Sequence, residues 1–570
     1  MKRFGKRLTA LIISATLTMG LFSACTKTSP DNSETGSTTE IKTEARDDSK
    51  KNETANTETN VDDKTYTVDF DTYKSVEAVD DEYRNYYEIF VRSFADSNGD
   101  KIGDLNGVTA KLNYLADLGV NGIWFMPLCQ STTYHKYDVV DYKSIDKEYG
   151  SLSDFDKLIE EAHKRGINVI IDYVINHTSS QHEWFKAACD YLKGLDGKEA
   201  SVEDNKYFGY YNFSKNKENA SYYPVPGTDW YYEGSFWEEM PDLNLKNEAL
   251  KAEILDIADF WMEHGVDGFR MDAAMHYEEN DPETNEAILK ELFSYCREKN
   301  PKFYMVSEVW ANETTVASYY NSKTPSMFNF PVSGAEGILA KAARSRYSGE
   351  NFVKALLEFQ DNYGSKNPDY IDAPFLTNHD QVRIANNLQS DVESLKYAAG
   401  LLLSMSGNPF IYYGEEIGMK SAGQKDENKR LPMYWSKNEV DYITNPPAGA
   451  DTGVEMTLPA LDEQLNDENS LVNYYKKALK IRNENPEIAR GKISIVDSLT
   501  SENVGVTVRS WNEKKLAVIY NTGKEECTID LASSELKDME IVDCLTLDNE
   551  EIKIVDGKIT LPSRSIVYLR

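Results

Sequence analysis

Gly122-Ile123-Trp124-Phe125-Met126 and Asn168-Val169-Ile170-Ile171-Asp172 are two short apolar runs, and residues 153–165 between them are amphipathic. A buried strand, a helix with one apolar face and a second buried strand make a parallel unit. Working outward, similar runs recur at 87–91, 266–272, 303–308, 326–330, 373–377 and 409–413, with further amphipathic stretches at 105–118 and 247–264. Eight alternations of this kind predict an α/β fold of the (β/α)8 TIM-barrel type in preference to a doubly wound sheet.

The gap from 178 to 241, after the third run, is too long for a plain loop and predicts an inserted subdomain. The barrel is accordingly expected over 83–177 and 242–490. Beyond residue 491 the texture changes to short alternating runs, among them Val506-Thr507-Val508 and Ser565-Ile566-Val567-Tyr568-Leu569. They predict a C-terminal antiparallel β-sandwich over 491–570.

Lys2, Arg3, Lys6 and Arg7 precede an uncharged stretch that ends Ser23-Ala24-Cys25. Residues 1–24 therefore read as a signal peptide and resemble a bacterial lipoprotein signal, with Cys25 the lipidated residue. An ordinary secretory signal is the other reading. Residues 25–82 are rich in Ser, Thr and charge, and residues 26–65 contain no aromatic, so this segment is expected to be a disordered tether. The expected location is the extracellular face of a bacterial membrane, or the medium.

A formal charge of −33 excludes nucleic acid as a partner, since the phosphate backbone demands a basic footprint. A monomer is expected. Apart from Cys25, five widely spaced cysteines remain: Cys129, Cys189, Cys296, Cys527 and Cys544. They do not make a disulfide framework; a Cys527–Cys544 bridge and buried free thiols are the two readings open.

In such a barrel the chemistry sits where the strands end. The third run leads into Asp172-Tyr173-Val174-Ile175-Asn176-His177, the fourth into Arg270-Met271-Asp272, the fifth into Glu308-Val309-Trp310 and the seventh into Asn378-His379-Asp380. Paired carboxylates at one mouth are what glycosidic cleavage needs: one protonates the leaving oxygen, the other meets the positive anomeric carbon. Arg270, two residues before Asp272 on the same strand, faces the same way and can orient it.

These four motifs, in this order, resemble the signature of glycoside hydrolase family 13, the α-amylase family, and the resemblance extends over residues 83–570. It includes Met240-Pro241-Asp242-Leu243-Asn244 and Tyr134-His135-Lys136-Tyr137-Asp138. It implies Asp272 as nucleophile, Glu308 as acid and base, and Asp380 as the third catalytic carboxylate. Substrate would be held by Tyr137, His135, His177, Arg270, His276 and His379, while Asp172 and Asn176 organise the site. Val309 and Trp310 are expected as the apolar neighbours that raise the Glu308 pKa.

The implied activity is retaining, endo-acting hydrolysis of α-1,4 bonds in starch and maltooligosaccharides. Ala273-Ala274 resembles the α-amylase pattern, whereas 1,6-specific members carry Val-Ile there. An oligo-1,6-glucosidase, cyclomaltodextrinase or transglycosylase of the same family remains open, as does a non-catalytic glucan-binding lipoprotein. Met275 stands where many α-amylases have Lys, which alters the leaving-group side.

Residues 96–104 carry oxygen donors at alternate positions, in the manner of a calcium loop. The loop resembles the family's calcium loop after the first strand, with Asp96, Asn98, Asp100, Ile102 and Asp104 as ligands and Ca2+ as the implied cofactor. Residues 207–237 hold twelve aromatics, expected partly as subdomain core and partly as outer sugar platforms.

Overall fold

The computed structural model describes residues 79–438 and 440–570. The signal expected at 1–24, the lipidation at Cys25 and the tether as far as residue 78 lie outside the described residues. Residues 80–82 are already tied to the folded body. Both carboxylate oxygens of Asp81 accept bonds from Arg490 at 2.6 Å, and Glu82 pairs with Arg297 at 2.5 Å.

Seven parallel strands form one sheet, in the spatial order Ser326–Met327, Tyr304–Ser307, Gly268–Met271, Asn168–Tyr173, Gly122–Phe125, Tyr86–Ile89, Phe410–Tyr412. The two edges meet across the seventh run, which is not a ladder strand. It joins its neighbours through single parallel bridges, Ala373 to Phe328 and Phe375 to Phe410. Pro374 lies between those bridges and has no N–H to donate, although its carbonyl accepts from Phe410 at 2.9 Å. The ring is an eight-stave barrel with one stave held by isolated contacts.

Side chains alternate across each stave with period two. Tyr86, Trp124, Ile170, Tyr304, Val306, Phe328, Ala373, Phe375 and Phe410 fill the barrel interior, while Tyr87, Ile123, Val169, Phe269 and Met305 pack outward against the helices. Tyr86 stacks on Tyr304 at 5.3 Å and on Phe410 at 4.8 Å, so the lower interior is a packed floor. Gly268 is required here, because a Cβ would lie 2.3 Å from the Tyr304 carbonyl oxygen. Polar residues at the next inward positions therefore stand above an apolar plug.

The longer helices start where the chain supplies caps. Asp104 caps Leu105–Leu118, and Ser151 with Asp154 forms a capping box on Leu152–Lys164. After the third strand the chain builds helix Glu183–Lys193 and a three-stranded antiparallel sheet, Phe213–Ser214, Tyr231–Glu233 and Tyr222–Pro224. Tyr210, Tyr211 and Tyr232 are buried in this insertion, whereas Phe236 and Trp237 are exposed. Bridges His177 to Asp242 and Tyr211 to Leu243 fasten it to the barrel.

The C-terminal region is two antiparallel sheets, five-stranded and three-stranded, packed over a core that includes Val506, Ile519, Leu561 and Val567. The five cysteines of the described residues are free, so there is no Cys527–Cys544 bridge. No helix among the described residues is long and apolar enough to cross a membrane.

Candidate active site

Register and parity assemble the site. Asp172 pairs with Arg270 across strands three and four, and Arg270 with Val306 across strands four and five. Two residues further on, at the next inward position, Asp272 and Glu308 stand side by side, with the Glu308 N–H donating to the Met271 carbonyl at 3.0 Å.

Arg270 is fully buried and works as the hub. Its Nη1 lies 2.7 Å from Asp172 Oδ1 and 2.5 Å from Asp272 Oδ1, and its Nη2 lies 3.1 Å from Glu308 Oε2. The guanidinium also sits over the Trp124 ring at 5.2 Å. One cation thus serves three carboxyl groups, the arrangement needed to keep buried charge tolerable.

Glu308 Oε2 accepts the Ala273 N–H at 3.0 Å, and Ala273 has a left-handed φ of 48° immediately after Asp272. A non-glycine residue strained at that point is held by its surroundings. Burial pushes the Glu308 carboxyl above its ordinary pKa; Arg270 opposes this, while Asp272 and Asp380 add to it. Trp310 is half exposed and stacks on Phe330 at 4.9 Å. Burial also lifts Asp172, to about 7, against the pull of Arg270.

Asp380 is held the other way. Burial alone would raise its pKa, but His379 and then Arg430 outweigh it and keep the carboxyl well below the usual range. His379 Nε2 lies 3.1 Å from Asp380 Oδ2, and Arg430 Nη2 donates to Asp380 Oδ1 at 2.7 Å. His379 itself rises to about 9: burial opposes the charge, and Asp380 and Glu88 overcome it.

Tyr137 links the two groups. Its hydroxyl donates to Asp172 Oδ2 at 3.0 Å and lies 2.7 Å from His379 Nε2, while its ring stacks on His379 at 5.6 Å. His135 Nδ1 accepts the Tyr137 N–H at 3.1 Å, and burial followed by Arg430 lowers its pKa to about 4, so it is neutral with the proton on Nε2. His177 is buried and shifted down by that burial, and its Nε2 has no hydrogen-bond partner among the described residues. His276 stands apart. It is exposed, pairs with Glu279 at 2.6 Å and meets the edge of Phe236 at 5.2 Å, with Phe236 also 5.5 Å from His177.

Two contributors belong neither to the four strand-end motifs nor to the segments 134–138 and 240–244, Glu88 and Arg430. Glu88 lies mid-strand at an inward position, and that parity is a usable signal. Arg430 closes no strand, and nothing local marks it.

Loop 96–104 is wound on its own amides. Asp96 Oδ1 accepts the Asn98 and Gly99 N–H groups at 2.9 and 2.7 Å, Asp100 Oδ1 accepts from Ile102 at 2.8 Å, and Asp104 Oδ1 accepts from Gly107 at 2.7 Å. Its donors are all oxygen, as calcium requires. Among the described residues no three His, Cys, Asp or Glu side chains gather as a metal cluster.

Arg270→Met removes the cation from among three carboxyls. Asp172 and Glu308 have folded pKa values above their ordinary ones, so their ionised forms oppose folding, and loss of Arg270 raises them further. The expected loss is about 3–5 kcal/mol at pH 8 and less at pH 5, where the carboxyls take up protons. Urea unfolding at the two pH values checks this, and equal losses would contradict it.

The model of the alpha amylase catalytic domain matches residues 88–491. Alpha-amylase 3 of Dictyoglomus thermophilum is 38% identical over 485 residues, 83% of this chain and 92% of that protein. The oligo-1,6-glucosidase of Bacillus cereus is 29% identical, over 78% of this chain and 91% of its own length. Among solved structures, Eubacterium rectale Amy13B superposes with a TM-score of 0.83 at 43% identity, covering 86% of this chain and 96% of that one. With the barrel and the carboxyl groups around its mouth, these matches make the chain a member of the α-amylase family of glycoside hydrolases, family 13.

Proposed function

We propose that this glycoside hydrolase cuts α-1,4-glucosidic bonds within starch and maltooligosaccharides, with retention. The observation that carries the reading is the single buried guanidinium touching both Asp272 and Glu308, which keeps a nucleophile and an acid beside one sugar carbon. Glu308, pushed up by burial, delivers its proton to the glycosidic oxygen as that bond breaks. Asp272 attacks the anomeric carbon and forms the glycosyl ester. Glu308, now a carboxylate, takes a proton from water; the water oxygen attacks the same carbon, and Asp272 leaves. Two inversions give retention.

Asp380, kept ionised by His379 and Arg430, binds sugar hydroxyls and the positive charge that develops on the ring. Tyr137, His135, His177 and His379 line the cleaved sugar. His276 and Phe236 belong further out, on the leaving-group side, where Met275 replaces a donor. The second reading is 1,6-specific cleavage or glucosyl transfer, and the name of the Bacillus cereus relative keeps it in play.

Release of dye from insoluble starch, with little panose cleavage, is expected; panose cleavage without dye release would favour the 1,6 reading. Glu308→Gln should lower turnover at least 10²-fold while retaining glucan binding, and full activity in that variant would refute the assigned acid.

Calcium is proposed for loop 96–104, held by Asp96, Asn98, Asp100, the Ile102 carbonyl and Asp104. The ion would brace the turn that caps helix Leu105–Leu118. A chelator should lower the melting temperature and added Ca2+ should restore it; no shift would remove the site.

Lipid anchoring through Cys25 is proposed from the sequence, giving a bacterial surface enzyme acting on external glucan. Cys25→Ser should move the protein from the membrane fraction to the medium, and unchanged fractionation would exclude the anchor.

A further inference from the structure

Glu88 is a buried carboxyl group in the wall of the barrel, on the strand Tyr86–Ile89, and no step above uses it. It faces inward, one layer above Tyr86. A carboxylate there, without a partner, would be strongly disfavoured. The partner is His379: Glu88 Oε1 lies 2.6 Å from His379 Nδ1 and 3.4 Å from the His379 backbone N–H.

The other face of the imidazole fixes the protons. Asp380 Oδ2 lies 3.1 Å from His379 Nε2 and belongs to a carboxyl held in its ionised form, so it can only accept and Nε2 carries a hydrogen. The Tyr137 hydroxyl oxygen lies 2.7 Å from the same nitrogen and 3.0 Å from Asp172 Oδ2. Nδ1 faces the Glu88 carboxylate and carries the second hydrogen. An imidazolium therefore lies between two carboxylates, one on the substrate side and one in the wall.

We propose that Glu88 is a positioning residue, which holds His379 doubly protonated and in one orientation and through it sets the charge and aim of Asp380 and Tyr137. The other charged or titratable groups around this pair are accounted for. Arg430 donates through Nε to the His379 carbonyl at 3.2 Å and through Nη2 to Asp380. Lys429 donates to the Asp380 carbonyl at 2.8 Å, and Asp172 acts through Tyr137. Tyr412 and Glu415, from the eighth strand and the turn after it, stand near enough to Glu88 to feel its charge. Among the described residues within hydrogen-bond reach, only the carboxylates of Glu88 and Asp380 favour a cation at His379, and Asp380 is itself shared with Arg430.

The sign follows. His379 lies above its ordinary pKa, at about 9, so the cation persists through neutral pH and is lost only as pH rises through that value. Without the Glu88 charge it is lost at lower pH.

The test is an NMR titration of the full chain with 15N-labelled histidine, the His379 signals being assigned by their absence in His379→Gln. The wild-type imidazole should stay doubly protonated at pH 7.5. In Glu88→Gln, which keeps the shape and loses the charge, the midpoint should fall by at least one pH unit. In Glu88→Asp, which keeps the charge, it should fall less. Glu88→Gln should also reduce kcat at least tenfold and move the alkaline limb of activity toward acid.

A His379 midpoint unchanged in Glu88→Gln overturns the proposal. If that variant does not accumulate in folded form, a neutral His379 in the wild-type spectrum at pH 7 overturns it equally, and an imidazolium there supports it. The kinetic arm rests on the hydrolase reading above. The titration does not, so absence of starch hydrolysis with a shifted midpoint would sink the function and leave Glu88 in its role.

Discussion

A buried guanidinium must be paired, and in this molecule that requirement couples fold to chemistry. Arg270 is inaccessible to water and has Asp172, Asp272 and Glu308 as its counter-charges, borne by three consecutive staves. Strands three, four and five must therefore keep one register, because a slip of a single residue would turn every inward carboxylate outward. The stability of the barrel and the alignment of the carboxyl groups thus depend on the same contacts.

Around that hub the site divides into two electrostatic neighbourhoods. In one, burial with limited compensation drives Glu308 and Asp172 toward their neutral forms. In the other, His379 and Arg430 drive Asp380 toward its anion. Groups of the same kind thereby acquire different roles, and the difference comes from the company each one keeps. Tyr137 spans the two neighbourhoods, bonded to Asp172 on one side and in contact with His379 on the other. A proton shift in one neighbourhood is consequently felt in the other.

The apolar floor matters to both. Tyr86, Tyr304 and Phe410 close the interior beneath the charged layer, so the carboxyls stand between an apolar floor and the mouth. Low polarity below and access above raise the pKa of Glu308 while leaving it open to a substrate. The aromatic-rich insertion contributes chiefly its own core, with Phe236 as the ring that reaches His177 and His276.

Much of this architecture is legible in the order of the amino acids. Apolar runs of strand length alternating with amphipathic stretches specify parallel staves, and period-two alternation puts Arg270 and Asp272 on one face, because both are local consequences of backbone geometry. The same rule marks Glu88, an acid at an inward position for which no local pattern supplies a partner. Other features depend on residues far apart in the chain. Pro374 denies the seventh run its ladder, Arg430 arrives from a distant segment to hold Asp380, and Trp310 stacks on Phe330. Chain order sets the staves and the side chains that face inward; packing in three dimensions sets which charges meet and how far each pKa moves. The first follows from neighbours in the chain, and the second from neighbours in space and the water they exclude.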